Sequence, residues 1–592
     1  MQVITKFESL PNELLLQCFG HLHVVDIFHS FDYLNSRFSA LIRSIALHLD
    51  VGNVEKSKLT QFGIKLMLNP LMKDQIISLT LKKKEGLDNL QTLFSFVSLF
   101  EFTQLRALIF GELHTLLIDQ TSSMLPLLPN LRYFSVENKS YWQDRILRSL
   151  SSSTVRTLLL TKIPDHISLD HSFTFLTHLS VSSCSVNGLC QFFTHSPTLQ
   201  CVKIKQLFRT YDTSSDQSQV QDEQANNLER LVVDSYHGNF QTFEVLLQQT
   251  PSLRFLVLNS SGDMDMIDGN RWRKLIRDTL PLLDNFKFIF RCSLEDDDHR
   301  MTADKFRPFQ NSFWSDQHHW YIECATNEKE VCIYTVPYML DSYEIMCNAK
   351  RYYSHPLKSA DAFAKVTNLK VNIAAMNDLD QYYFPNVKSL ALNNECAAAD
   401  HDYAYLKHKH ISYLRSMVNL AHVTHLEISS TFRWKSSSVI LQLIKEAMHL
   451  SSLQTDKSIL FQLLKNHELC QCLKMIKKLD IADFVPVMHS NGEDMAKICQ
   501  IFCNMEDFRC KIDEVNALQA TIDQLSKLSH MRSFSYKTSR AYCGDYWLKA
   551  HQPELDLYSF KIHCEYHGFI FDDDDNYYGF SDDDDYDFSD ID

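Results

Sequence analysis

The chain is 592 residues long, beyond the size of one ordinary hydrophobic core, so several domains or a long repeat array are expected. No apolar run approaches the ~20 residues that span a bilayer, and Met1-Gln2-Val3-Ile4-Thr5-Lys6 lacks secretion-signal character, so no membrane partner is expected and the location is read as cytoplasmic, nuclear or both. The net charge of −15 is uneven: residues 571–592 carry eleven Asp and no Lys or Arg, leaving −4 for the remainder, a balance that argues against a nucleic acid partner.

The first predicted elements are short helices. Pro11 suits a first helical turn, where its missing N–H would have no partner anyway, and Glu13 lies near the positive end of the helix dipole. Leu10, Leu14, Phe19 and Leu22 recur near helical spacing. Asp26 is read as the cap of a second helix holding Ile27, Phe28 and Phe31, and a third helix carries Phe38, Leu41, Ile42 and Ile45. Three short helices lie at the lower size limit for independent folding, so some of their apolar residues are expected to await a partner.

These residues resemble an F-box. Leu10-Pro11-Asn12-Glu13, Phe19-Gly20-His21-Leu22, Asp26-Ile27, and Asn35-Ser36-Arg37-Phe38 with Leu41-Ile42 follow that family's pattern in order. Phe38 stands where the family usually has Trp, which keeps a flat ring but drops the indole donor, and Tyr33 or Leu34 stands where it usually has Val. The resemblance implies a docking surface for a Skp adaptor formed by Leu10, Pro11, Leu14, Phe19, Leu22, Ile27, Phe38 and Leu41.

From residue 76 a hexad of the form apolar-x-x-apolar-x-apolar recurs. It begins with Ile76-x-x-Leu79-x-Leu81 and repeats from Leu105, Leu131, Val155, Leu176, Leu199, Leu228, Leu253 and Leu283, at steps of about 21 to 30 residues. It returns from Val366, Val387 and Val423, with weaker copies from Ile476, Met505 and Met531. Pro129, Pro197, Pro251, Pro281 and Pro385 each precede a hexad by two positions, where proline ends a helix and passes the chain into extended backbone. Helices are predicted between hexads at 142–150, 189–194, 240–248 and 272–279. Strand, helix, proline, strand is one turn of a solenoid whose neighbours share a core.

Residues 291–365 interrupt the series with the acidic turn Glu295-Asp296-Asp297-Asp298 and the aromatics Phe306, Phe309, Phe313, Trp314 and Trp320. Here 320–325 and 331–336 read as two strands of a β-hairpin.

The repeating pattern resembles the leucine-rich repeat group of F-box proteins over most of 76–538, although few copies carry that group's Asn or Cys after the hexad; Asn259, Asn393 and Cys184 fall there. The expected fold is α/β: a small three-helix F-box (1–48), a helical linker (49–75), and a curved leucine-rich-repeat solenoid with parallel strands in two parts (76–290 and 366–540). Between them lies the hairpin-bearing interruption (291–365), and a C-terminal segment with an acidic disordered tail follows (541–592). Such hexads also suit an unrelated α/β domain with parallel strands.

Side chains between the buried hexad positions are expected on the concave face. Lys203, Lys205, Arg230, Phe255, Lys287, Lys370, His425 and Glu427 are the candidate contacts to a target protein there, alongside Asn372 and Asp480. Lys203, Lys205, Lys287 and Lys370 form a mildly basic stretch suited to an acidic or phosphorylated segment, and they also read as scattered solvated charges.

No catalytic motif is found: there is no Gly-rich phosphate loop, no Gly-x-Ser-x-Gly and no His-Glu-x-x-His. Sixteen cysteines without Cys-x-x-Cys are expected to be reduced thiols. Cys564 with His563 and His567 lacks a fourth ligand, and His318-His319 on a strand would point to opposite faces, so no metal or other cofactor is expected. The F-box resemblance implies a substrate-recognition subunit of an SCF-type ubiquitin ligase, with Skp adaptor, cullin scaffold and a target protein as partners and no catalytic residue of its own. A non-ligase interaction scaffold is the alternative, and an enzyme hidden within 291–365 is the third reading.

Overall fold

The computed structural model describes residues 7–566 apart from 53, 82–85, 112–120, 138–142, 152, 166–170, 210–223, 295–305, 348, 354–358, 374–375, 377–381, 395–404, 430–433, 435, 482–492, 513 and 539–559. The basic run at 82–84, the acidic turn at 295–298, His567 and the tail at 571–592 lie outside the described residues.

Three helices open the chain: α1 (Asn12–Gly20), α2 (Val24–Ser30) and α3 (Ser36–Ile42). Pro11 sits one position ahead of α1. The cap of α2 is His23 rather than Asp26. His23 Nδ1 accepts the Val25 N–H at 3.2 Å while its Nε2 lies 2.5 Å from the Asp50 carbonyl oxygen, which fixes the ring over the free end of the helix. Asp26, already inside the helix, pairs instead with Lys58 at 3.0 Å. Asn35 caps α3 by accepting the Phe38 N–H at 2.9 Å. A further helix, α4 (Lys56–Leu68), packs on α2 through an edge-to-face contact between Phe28 and Phe62, with ring centroids 5.5 Å apart.

The chain divides into two compact units, one of residues 1–339 with 350–356, the other of residues 340–349 with 357–592. The strands of the first are β1 (Leu47–Asp50), β2 (Ile76–Leu81), β3 (Ala107–Phe110), β4 (Tyr133–Val136), β5 (Thr157–Lys162), β6 (His178–Ser185) and β7 (Cys201–Phe208), then β8 (Arg230–His237), β9 (Phe255–Ser261), β10 (Asn285–Ser293), β11 (Tyr321–Thr326) and β12 (Glu330–Val336). The second unit opens with β13 (Ser342–Ile345), β14 (Lys350–Tyr353) belongs again to the first, and the second continues with β15 (Asn368–Asn372), β16 (Ser389–Asn393), β17 (His425–Ile428), β18 (Ser452–Thr455), β19 (Lys478–Ile481), β20 (Asp507–Lys511), β21 (Ser533–Thr538) and β22 (Lys561–Tyr566).

In the first unit β1 to β10 lie side by side in chain order and in parallel, so each turn of chain adds one strand to a growing ladder. The register stacks like on like. Leu79, Leu108, Phe134, Leu158, Leu179, Val202, Leu231, Leu256 and Phe286 pair successively across the strands, and all are buried. Such a side chain stabilises the fold by about 1.5–3 kcal/mol when taken from water, and no single turn has enough of them to fold alone. Strand ends lead directly into capped helices: Ser185 accepts the Gly188 N–H at 3.0 Å and Asn239 that of Thr242 at 2.9 Å. Gly188 is required there, because a Cβ would stand 2.5 Å from the Pro164 carbonyl of the preceding turn. Asn259 ties adjacent turns together, its amide donating to the Asp234 carbonyl at 2.9 Å.

The segment expected to interrupt the repeats instead completes this sheet. β11 and β12 form the antiparallel hairpin, β12 pairs antiparallel with β10, and β14 adds to β11. The physical reason is the open end of the stack, whose apolar core and unpaired strand edge need a cover. Phe306, Phe309, Phe313, Trp314 and Trp320 are buried in that cover, and Trp314 lies against Phe286, the last rung of the parallel core, with centroids 6.5 Å apart. His318 stacks on Trp320 at 4.2 Å, and both histidines precede β11 rather than lying on it. Behind the aromatics is a buried ion pair. Arg351 donates to Glu323 at 3.0 and 2.6 Å, both side chains are at most 5% exposed, and the Tyr334 hydroxyl adds a bond at 3.2 Å.

In the second unit β13 and β15 to β22 form a nine-stranded parallel sheet, again in chain order. Its ends differ from the expected 366–540. β13 lies inside the expected interruption, on the hexad Leu340-x-x-Tyr343-x-Ile345, and β22 extends the ladder beyond 540. β18 also had no predicted counterpart, because Thr455 takes the third apolar place of its hexad. Cys347 is disulfide-bonded, against the expectation of thiols throughout.

Candidate functional site

Two kinds of surface follow from this architecture: the helical N-terminus and the open faces of the two sheets.

At the N-terminus the structure separates the eight residues assigned to adaptor binding. Phe19, Ile27, Phe38 and Leu41 are buried in the chain's own core, where the Phe19 and Phe31 rings lie 5.3 Å apart and those of Phe31 and Phe38 5.8 Å. They hold the module together and are not available to a partner, a correction that helical periodicity alone could not make. Pro11 is exposed, Leu10 is half-buried, and Leu14 and Leu22 are 44% and 43% exposed. Tyr33 and Leu34, at 73% and 56%, are further apolar groups in solvent. Tyr33 takes φ +67°, a turn conformation steadied by its N–H donating to Ser39 Oγ at 3.1 Å. Arg37 of α3 binds the lead-in to α1, donating to the carbonyls of Glu8 at 2.5 Å and Leu10 at 2.6 Å and to Asn12 Oδ1 at 2.9 Å. Helical spacing also leaves Ile64, Met67 and Leu68 of α4 exposed, with Leu71 just beyond, residues the sequence reading passed over as linker.

On the open face of the first sheet one column runs Ser78, Ala107, Tyr133, Thr157, His178, Cys201, Arg230, Phe255 and Asn285, and the next runs Thr80, Ile109, Ser135, Leu159, Ser180, Lys203, Val232, Val257 and Lys287. Lys203, Lys205, Arg230 and Phe255 lie on this face, and the Arg230 guanidinium sits 3.7 Å over the Phe255 ring. Lys203 is paired with Asp234 at 3.6 Å.

The open face of the second sheet carries Lys370, His425 and Glu427. Lys370 is paired with Glu344 at 3.1 Å; Lys203, Lys205 and Lys287 belong to one unit and Lys370 to the other, and Lys203 and Lys370 are neutralised rather than free as a basic stretch requires. Asn372 is buried rather than facing a target. His425 shares a hydrogen bond with Ser452 Oγ at 2.8 Å; burial holds its pKa below the usual histidine value, with Glu427 and Asp480 opposing. Burial likewise pushes the Asp480 carboxyl up, against Arg509, Lys537 and His425.

The expected contacts lie at the third, fifth and seventh positions counted from the start of each hexad, and the second position carries a further charged group. There, Arg106, Arg132 and Arg156 follow Leu105, Leu131 and Val155 on three successive turns, all exposed. The signal was present as the identical dipeptide Leu-Arg at 105 and 131 and Val-Arg at 155.

Among the described residues no group of three His, Cys, Asp or Glu side chains is placed to hold a metal ion, and no helix is long and apolar enough to cross a membrane. His563 and Cys564 are adjacent on β22 and so point to opposite faces.

No family model matches the chain, and no curated protein matches it. Among solved structures it is similar to a chain of the crystal structure of the TLR13–ssRNA13 complex, at 11% identity over 76% of this chain and 50% of that one, with a TM-score of 0.22. The chain thus spans half the length of that one.

Proposed function

We propose that this chain is the substrate-recognition subunit of a cullin-type ubiquitin ligase, its N-terminal helices docking on a Skp adaptor and its strand–helix stack holding a target protein. The observation that carries the reading is the combination, within residues 10–42, of an F-box-like motif with Phe19, Phe28 and Phe38 buried in the core of the first unit and with Pro11, Leu14 and Leu22 left in solvent. Apolar groups held outward on α1 (Leu14) and at its two ends (Pro11 and Leu22) are what a helical partner would cover. In this role the chain supplies position, raising the effective concentration of a target lysine near a separate transfer enzyme, and needs no reacting group of its own.

The test is co-purification with recombinant Skp adaptor and cullin, comparing wild type with Leu14→Asp plus Leu22→Asp. Both positions are exposed, so the double variant keeps the fold; Phe19→Asp would place a charge in the core and unfold the module. The wild type is expected to retain adaptor and the double variant to lose it. Wild-type protein that captures no adaptor refutes the ligase reading. Adaptor binding without any effect of the double variant on turnover of a bound target would leave a non-ligase scaffold.

A further inference from the structure

Arg106, Arg132 and Arg156 occupy the same place on three consecutive rungs of the first sheet. The backbone sets this directly: the Arg106 carbonyl accepts the N–H groups of Arg132 and Tyr133, both at 2.9 Å, and the Arg132 carbonyl accepts those of Arg156 and Thr157, at 2.8 and 2.9 Å. Adjacent rungs are therefore one strand spacing apart, about 4.8 Å. Side chains at this position do reach one another across rungs. Farther along the same sheet Arg254 pairs with Asp284 at 3.9 Å, and in the second unit Lys477 and Arg532 both pair with the intervening Glu506, at 2.9 and 3.2 Å.

Where the sequence places opposite charges on neighbouring rungs, the position neutralises itself. At 106, 132 and 156 it places three like charges, and among the described residues none of the three is in an ion pair. Beside the arginines runs the column Ala107, Tyr133 and Thr157, half-buried and uncharged.

We infer that this arginine row is a binding site for an acidic polypeptide segment, one carrying clustered carboxylates that cross the rungs and apolar residues that rest on Tyr133. Planar guanidiniums at regular spacing donate charge-assisted, bidentate hydrogen bonds to carboxylates and relieve their own repulsion in doing so. A row of three cations neutralises at most about three phosphates, so it releases few of the counter-ions on which nucleic acid binding draws. The inference is independent of adaptor docking, since it concerns only what the first sheet recognises.

The experiment is fluorescence anisotropy of the full chain with a labelled octa-aspartate peptide at low ionic strength, with a labelled oligothymidylate as comparator. Replacing all three arginines by Ala is expected to weaken peptide binding at least about tenfold, and Arg132→Gln alone about threefold. Arg254→Ala, which removes a cation already paired, is expected to leave the affinity unchanged. Thermal unfolding of each variant reports the fold; should the triple variant melt early, Arg132→Gln decides. Equal peptide binding by wild type and Arg132→Gln overturns the proposal, as does no peptide binding by the wild type. Tighter, arginine-dependent binding of oligothymidylate overturns it in favour of nucleic acid.

Discussion

The second hexad position carries charge in both units, with opposite outcomes. In the second unit Lys477, Glu506 and Arg532 alternate in sign on successive rungs, and Glu506 sits between its two cations, which hold its carboxyl below the usual range, the Lys477 hydrogen bond first. In the first unit Arg254 and Asp284 pair in the same way, but Arg106, Arg132 and Arg156 are alike in sign and without ion pairs among the described residues. Backbone geometry is the same in both, with the Glu506 and Arg532 N–H groups donating to the carbonyls of Lys477 and Glu506 at 2.7 Å. The difference is carried by side-chain sign alone. A parallel ladder turns neighbouring charges into an internal bond or into a demand for an external counter-charge, according to the order in which they recur.

The largest expected effect tests the limit of that rule, a pair with no access to water. Arg351→Ala leaves Glu323 buried and uncompensated and is expected to lower the unfolding free energy by about 3–5 kcal/mol in a urea titration, whereas Glu323→Leu with Arg351→Met recovers most of the loss. Next is protonation in the second unit. His410 is buried, its Nδ1 accepting the Lys407 N–H at 3.2 Å, and burial with Lys409 and Lys407 nearby lowers its pKa from 6.5 to about 4. Because the folded state resists the proton, stability contributed by this group is complete above pH 6.5 and is lost as pH falls toward 4. A loss on the order of 2 kcal/mol across that window is expected, absent from His410→Gln, with urea midpoints at several pH values as the measurement.

Two exchanges then swap the behaviour of the rows. Arg132→Glu gives the first unit the alternating order of the second, and is expected to abolish octa-aspartate binding while leaving the melting temperature unchanged or slightly raised. Glu506→Lys gives the second unit three cations in a row, and a severalfold gain in binding of the same peptide is expected. A pair of exchanges with no effect on binding would show that rung order does not govern this surface. The smallest effect is at an exposed pair: Lys203→Ala, which frees Asp234, is expected to change stability by less than about 1 kcal/mol.

The turns of the stack were legible because their cause is local. Leu108 and Phe110, or Leu256 and Leu258, must face inward wherever the segment is extended, and a proline such as Pro129 or Pro251 marks the preceding turn. Tyr343 and Ile345 obey the same rule and were passed over amid the interrupted pattern, while β18 escaped because Thr455 is buried as a polar third member. The N-terminal helices were equally legible, but not the division of their apolar residues. Phe19 and Leu22 lie three positions apart, yet only the packing of Phe31 and Phe38 against Phe19 decides that one is core and the other surface.

By itself, then, the order of residues determined where strands and helices form and which side chains point inward, since both depend on periods of two to four residues that any short segment displays. The tertiary structure alone decided which charges become neighbours. Arg106 and Arg132 are separated by a full turn of chain of variable length, and only parallel pairing in register brings them one strand apart, as it brings Glu506 between Lys477 and Arg532.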